Sequence, residues 1–242
     1  MFADLTSANT VGYLGKTLEK GHYNLLSLNF NTVDGSGLVP GEDIQFENLV
    51  SGKTYSSAVD HLEVYDPTDE SYTFLFYSTA LKSWADNKLK TFDKLYPDGF
   101  EAGTMVWYFS VGEDAPIVTQ SGAVLDTDDS SAEIVVGNYN FLANPYPVEW
   151  DPNDAERVDL SNVVSGKTYS SSVDHIETYD PTDESYGFYF YSTALKCWCD
   201  NKLKKFDTVS DPIQPGDGVW FYSVDREDET VFDITFNSPI AK

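Results

Sequence analysis

Residues 51–93 read SGKTYSSAVDHLEVYDPTDESYTFLFYSTALKSWADNKLKTFD, and residues 165–207 repeat that stretch with 35 of 43 positions identical, displaced by 114. Whatever local structure one copy adopts, the other adopts too, so the fold must accommodate the unit twice. The 242 residues then divide into two units, 1–125 and 126–242. Each is large enough to enclose a core of its own.

The pattern within each unit is that of short strands. His61–Tyr65 and Tyr72–Tyr77 flank Asp66-Pro67-Thr68-Asp69-Glu70-Ser71. Proline presets a turn dihedral and Asp or Ser side chains cap one, so a hairpin is expected there. Thr10–Leu18 and His22–Phe30 bracket Glu19-Lys20-Gly21 and predict a second hairpin. Gly103–Val111 and Ile117–Val124 complete the first unit. Asp126–Ser131 reads as an acidic linker. Gly137–Leu142, Val158–Val164, Gly216–Val224 and a closing Val231–Ala241 follow in the second unit. No amphipathic helix is evident. The expectation is an all-β chain of two tandem homologous antiparallel β-sandwich or barrel-like domains.

The copies themselves suggest which way strands face. Phe74/Phe188 and Phe76/Phe190 are unchanged, whereas Thr73/Gly187 and Leu75/Tyr189 differ. Side chains alternate across a strand. The unchanged phenylalanines are therefore expected in the core, with Tyr189 and Tyr191 forming an exposed aromatic strip.

Forty acids against fifteen bases leave a formal charge of -25. Such a chain repels phosphate backbones and anionic lipid surfaces, so neither nucleic acid nor a membrane is an expected partner. No apolar run reaches the roughly 18 residues of a membrane span. Tyr, Thr, Asp, Ser and Gly are abundant and Lys and Arg scarce, which favours an extracellular or cell-surface setting.

Several motifs together have a familiar form. Val11-Gly12-Tyr13-Leu14 opens the first unit; Gly21-His22-Tyr23-Asn24-Leu25-Leu26 and Gly137-Asn138-Tyr139-Asn140-Phe141-Leu142 lead into apolar strands. A Tyr-Asp-Pro-Thr hairpin with a later Trp, the strand Pro215-Gly216-Asp217-Gly218-Val219-Trp220-Phe221 and the ending Ser121-Gly122-Ala123-Val124 complete the pattern. The chain resembles a group of secreted, often tandemly repeated β-rich proteins of environmental and gut bacteria. Ala102-Gly103-Thr104-Met105 departs from the group's Pro-Gly-x-Gly. The resemblance implies export after removal of a signal peptide, with Phe2-Ala3-Asp4 near the mature start. It carries no established activity and transfers no site residue.

Candidate chemistry is sparse. Asp66, Asp69 and Glu70, repeated as Asp180, Asp183 and Glu184, put three carboxylates within five residues. A turn accounts for them; calcium, which favours clustered oxygens, is the one cofactor they would suit. His61 and His175 stand at equivalent places without the partners of a nucleophilic triad, and no catalytic residue is assigned. Cys197 and Cys199 replace Ser83 and Ala85 of the first copy. They are expected as free or locally bridged thiols, or as the source of an intermolecular disulfide. Trp84 and Trp198 lie in polar segments. Either they anchor loops or, with Tyr189 and Tyr191, they offer flat faces to a glycan. Trp107 and Trp220, inside apolar strands, are expected in the core.

The function expected is non-enzymatic: an extracellular structural protein that assembles with copies of itself into a filament or surface layer, using edge strands such as Thr10–Leu18 and Val231–Ala241. The alternative is a bivalent carbohydrate-binding protein that holds polysaccharide through exposed aromatics, two copies adding avidity.

Overall fold

The computed structural model describes residues 10–239. The Phe2-Ala3-Asp4 start and the end of the Val231–Ala241 segment lie outside them. In chain order the elements of the first half are β1 (Val11–Thr17), β2 (Tyr23–Ser27), β3 (Ile44–Glu47), β4 (His61–Asp66), β5 (Ser71–Ser78), β6 (Ser83–Asp86), the single turn α1 (Phe92–Leu95), β7 (Met105–Phe109) and β8 (Ile117–Ala123). The second half supplies β9 (Asp129–Val135), β10 (Tyr139–Leu142), β11 (Val158–Asp159), β12 (His175–Asp180), β13 (Ser185–Ser192), β14 (Cys197–Asp200), α2 (Phe206–Val209), β15 (Val219–Tyr222) and β16 (Val231–Asn237). The chain is all-β. No helix among the described residues is long and apolar enough to cross a membrane.

Four antiparallel sheets result. The first half forms β1-β8-β3 and β2-β7-β4-β5-β6; the second forms β11-β16-β9 and β10-β15-β12-β13-β14. In each half the three-stranded sheet covers one face of the five-stranded sheet, as in a β-sandwich. Leu26, Leu62, Leu75, Trp84, Tyr108 and Val118 fill the first core; Leu142, Ile176, Tyr189, Trp198, Phe221 and Ile234 fill the second.

The hairpin across Asp66–Ser71 is present, with Leu62 opposite Leu75 and Tyr65 opposite Tyr72. The hairpin expected between the first two strands is not. β1 pairs with β8, whereas β2 pairs with β7 in the other sheet. The Asn24 side chain explains the crossing. It accepts from Glu19 N at 2.8 Å and donates to Glu19 O and His22 O. The corner is thus satisfied without a ladder between the strands. Asn140 does the same at Val135 and Asn138. The proposed acidic linker is also revised: Asp129–Ser131 opens β9, which pairs with β16 along its whole length.

The assignment of faces on β5 and β13 reverses. Leu75 and Tyr189 point into the sandwich cores. Phe76 and Phe190 are buried on the opposite face, where Tyr55 and Tyr169 lie 6.0 and 5.9 Å from them, centroid to centroid. Phe188, on that same face, is exposed. Both faces of this strand bury apolar surface, so alternation identifies which side chains share a face but not which face meets the larger core.

The two halves meet through those opposite faces. Leu25, Met105, Trp107, Ala143 and Trp220 form a separate buried cluster, with Tyr65, Phe141 and Tyr179 around it. The contacts are reciprocal. Trp107 meets Tyr179 edge-on at 4.9 Å, and its counterpart Trp220 meets Tyr65, the counterpart of Tyr179, edge-on at 5.1 Å. Met105 fits where Gly218 has no Cβ; an added Cβ would fall 2.0 Å from its sulfur. Buried Asn29 bridges the halves, donating to Asn144 O and accepting from Gly216 N. At the rim His22 meets Glu184 at 3.0 Å, and Asn138, the counterpart of His22, donates to Pro67 O at 2.8 Å. The tandem copies therefore face each other across a pseudo-twofold axis, the geometry of an isologous dimer within one chain.

Candidate functional site

The strands that bring the halves together leave part of their facing surfaces uncovered. β4 presents His61, Glu63 and Tyr65 on this side, aligned with Phe74 and Tyr72 of β5 and with Trp107 of β7. β2 adds Tyr23. The second half presents His175, Glu177, Tyr179, Tyr186, Trp220 and Tyr139 in the same arrangement.

Two clefts open there. Tyr65, Glu70 and Tyr72 line the first from one half, and Tyr139, Glu177, Tyr186 and Trp220 from the other; its volume is about 340 Å³. The second, about 350 Å³, takes Tyr23, Glu63, Tyr72 and Trp107 from the first half and Tyr179, Tyr186 and Trp220 from the second. Exchanging the halves maps most of one lining onto the other. The clefts share Tyr72, Tyr186 and Trp220, so they adjoin across the pseudo-twofold. Trp107 and Trp220 are almost wholly buried and form the floor; Tyr23, Tyr72, Tyr139 and Tyr186 are exposed and form the walls.

A hydrogen-bonded trio sits at each cleft. Tyr23 Oη donates to Glu63 Oε1 at 2.9 Å, and His61 Nε2 meets the same oxygen at 3.1 Å. Tyr139 and His175 engage Glu177 Oε1 at 2.9 Å each. His61 Nδ1 faces Val59 O at 3.2 Å, so both ring nitrogens look at oxygen acceptors. Burial, then the Glu63 hydrogen bond, holds the Tyr23 phenol well above its ordinary value; Tyr139 is raised in the same way by burial and Glu177. Tyr72 is pushed up to about 12 by burial and then by its neighbours Tyr65 and Glu63. Tyr179 is pushed up to about 12 by burial and then Glu184. The phenols stay neutral in a region of negative field.

The residues singled out from sequence fall elsewhere. Trp84 is buried in the first core, 4.9 Å from Phe46, and Trp198 is buried in the second. Tyr189 is buried against Phe206 at 4.7 Å. None of the three can stack on a glycan, since their faces are spent on core packing. Tyr191 is half-buried beside Trp198 and lines a separate groove with Leu160 and Lys196. Cys197 and Cys199 are free and buried, Cys199 packing with Phe190 and Val173. Burial, first of all, raises the Cys199 thiol. An intermolecular disulfide would need these sulfurs at the surface, and they are not.

The carboxylates considered for calcium serve the hairpin turns. Asp66 and Asp69 accept from Thr68 N and Ser71 N at 2.8 and 3.1 Å, and Asp180 and Asp183 repeat this at Thr182 N and Ser185 N. Glu70 and Glu184 adopt positive φ in those turns, at 56° and 57°. Among the described residues no three His, Cys, Asp or Glu side chains gather to hold a metal.

Sequence reasoning missed the clefts because their linings come from both halves. One signal was present. On β4 and β5 four core-facing positions change between copies (Leu62/Ile176, Val64/Thr178, Thr73/Gly187, Leu75/Tyr189), and Tyr77/Tyr191 does not. The positions on the other face do not: His61/His175, Glu63/Glu177, Tyr65/Tyr179 and Tyr72/Tyr186 are the same, as are Tyr23/Tyr139 and Trp107/Trp220 beside them. Comparison of the chain with family models, with curated proteins and with solved structures finds no match.

Proposed function

We propose that this is a non-enzymatic, two-site binding protein whose ligand occupies the paired aromatic clefts between its two repeats, each repeat forming one domain. The observation that carries this reading is that Tyr23/Tyr139, Glu63/Glu177, Tyr65/Tyr179, Tyr72/Tyr186 and Trp107/Trp220 are the same in both copies, although Leu62/Ile176, Val64/Thr178, Thr73/Gly187 and Leu75/Tyr189 on the core side of β4 and β5 differ. Packing between the halves accounts for Trp107, Trp220, Tyr65 and Tyr179, but not for Tyr23, Tyr139, Tyr72 and Tyr186, which stay exposed. Exposed aromatic walls over a tryptophan floor, with carboxylates beside it, suit a small ligand with an apolar side. A carbohydrate would bind here, not at Trp84 or Trp198. An extracellular setting, and kinship with secreted tandem-repeat β proteins, belong to the same proposal on the composition and motifs.

The test is tryptophan fluorescence titrated against a panel of small cations and oligosaccharides, with Tyr72→Leu as the control. A saturable change that the variant loses supports the reading. No change for any member, with both proteins folded, overturns it.

Self-assembly is the second reading, and one observation favours it. β1 is an edge strand whose Val11 and Tyr13 are 64% and 72% exposed, a surface open to strand addition. The face between the repeats does not serve this end, because twofold contacts close and do not propagate. Sedimentation velocity at rising concentration tests it; a constant monomer value counts against it.

A further inference from the structure

The charge around the clefts indicates what they select. Glu70 and Glu177 line one and Glu63 lines the other, while no Lys, Arg or other cation lines either. The hydroxyls of Tyr23 and Tyr139 are already donated to Glu63 and Glu177. The formal charge lining each cleft is therefore negative only, beside the neutral phenols of Tyr72, Tyr186 and Tyr65 or Tyr179. A neutral polyol could bond these phenols and carboxylates but would leave the negative charge uncompensated. Inorganic cations favour clustered carboxylates, and among the described residues no three His, Cys, Asp or Glu side chains gather to hold one. An ammonium carrying methyl or alkyl groups needs no such cluster. It packs apolar surface against ring faces, and its charge is attracted to both the rings and a nearby carboxylate.

Resting on the two-cleft reading above, we propose that each cleft binds the alkylated ammonium group of a small organic cation, walled by Tyr72 and Tyr186, floored by Trp220 and countered by Glu63 or Glu177.

Four tyrosine rings stand around each Trp-floored space, with Tyr139 and Tyr65 at 5.7 and 5.1 Å from Trp220, and Tyr23 and Tyr179 at 5.7 and 4.9 Å from Trp107. His61 and His175 contact the carboxylates from within the sheet and are themselves buried. They orient the carboxylates without lining either cleft. Tyr65 and Tyr186, raised first by burial, have a glutamate as the next cause, and Glu63 also raises Tyr72, after burial and Tyr65. This is the field a cation would relieve. The chain's charge of -25 adds long-range attraction of the same sign.

The experiment is calorimetric and fluorescence titration of the full chain at fixed ionic strength. The probes are choline, its uncharged isostere 3,3-dimethylbutan-1-ol, and cellobiose. The expected result is that choline binds at least tenfold more tightly than the isostere. Tyr72→Leu should weaken choline at least tenfold, whereas Tyr72→Phe, which keeps the ring, stays within about threefold. Glu63→Gln with Glu177→Gln should weaken choline more than the isostere. Tyr72 is exposed, so its variants test binding and not folding. If isostere or cellobiose binds as tightly as choline and Tyr72→Leu abolishes it, the cation inference is overturned and the clefts remain binding sites. If no probe gives a Tyr72-dependent signal, both fall.

Discussion

Asp60 and Asp174 stand at the same place in the two halves, both fully buried, and are stabilised differently. Each accepts two backbone N–H groups: Val50 and Val111 for Asp60, at 2.9 and 2.7 Å, and Val164 and Val224 for Asp174, both at 2.8 Å. The third donor differs. In the first half it is the Tyr108 hydroxyl at 2.8 Å. In the second, Phe221 replaces that tyrosine, and Arg226 reaches Asp174 Oδ2 at 2.7 Å while lying over the Phe232 ring. A neutral donor from the core has been exchanged for a cation from a loop. A buried carboxylate needs its bonds, but not one particular partner.

This comparison breaks most sharply at Arg226. Arg226→Met should leave Asp174 as a buried charge with only its backbone donors and cost about 3–4 kcal/mol. Tyr108→Phe removes one hydrogen bond to a carboxylate that keeps its two others, and should cost about 2 kcal/mol. Urea unfolding of both variants gives the ordering; equal losses would show that the guanidinium acts only as a hydrogen-bond donor. Phe221→Tyr in the Arg226→Met background should recover about 1–2 kcal/mol, because it rebuilds the first half's arrangement in the second.

The cores show a second exchange, of shape instead of charge. In the first half Phe92 of α1 packs on Tyr96 and Phe100, 5.3 and 4.9 Å away. In the second half Ser210 stands where Tyr96 does, and Tyr189 reaches Phe206 instead. The Tyr189 ring lies over Gly187, where an added Cβ would sit 2.9 Å from it. One aromatic ring is thus delivered from the helix end in one half and from β13 in the other. Leu75→Tyr alone should overpack the first core and cost about 2 kcal/mol. Adding Thr73→Gly and Tyr96→Ser should recover most of that loss. Thermal unfolding checks it, and a triple variant worse than Leu75→Tyr would show that the two cores are not interchangeable.

These exchanges explain what was legible in the sequence. The Asp-Pro hairpin was, because its turn chemistry is local. The all-β architecture was, because strands and turns alternate throughout. The corner at Asn24 was not, since a Gly-containing turn between two strands looks the same whether it closes a hairpin or crosses between sheets. Its mark, an asparagine three residues after the glycine, occurs in both halves as Gly21–Asn24 and Gly137–Asn140. The facing of Phe74 and Leu75 is the reverse of the expectation because identity between copies does not mark the core on this strand. Along β4 and β5 the changes between copies (Leu62/Ile176, Val64/Thr178, Thr73/Gly187, Leu75/Tyr189) fall on the core side, where neighbours absorb them, while His61, Glu63, Tyr65, Tyr72, Phe74 and Phe76 on the other side recur unchanged. That inversion also hid the clefts, whose walls are 114 residues apart in sequence and meet only when the halves pair.

The smallest expected effect concerns Cys197 and Cys199, where the first half has Ser83 and Ala85. Both strands place these side chains on the outer face, the first two opposite Ser192 and Phe190, the others opposite Ser78 and Phe76. The surroundings already accept the smaller groups in one copy, so Cys199→Ala should lose only the packing of one sulfur on Phe190 and Val173, about 1 kcal/mol. Cys197→Ser should cost no more. Neither thiol should react with a maleimide in the folded protein on the timescale of an exposed cysteine, because burial shields the sulfur and raises Cys199. Both should react once urea unfolds the second half. Rapid labelling of the native chain would mean that β14 opens where its counterpart β6 stays closed, and the two halves would then differ in local stability as well as in packing.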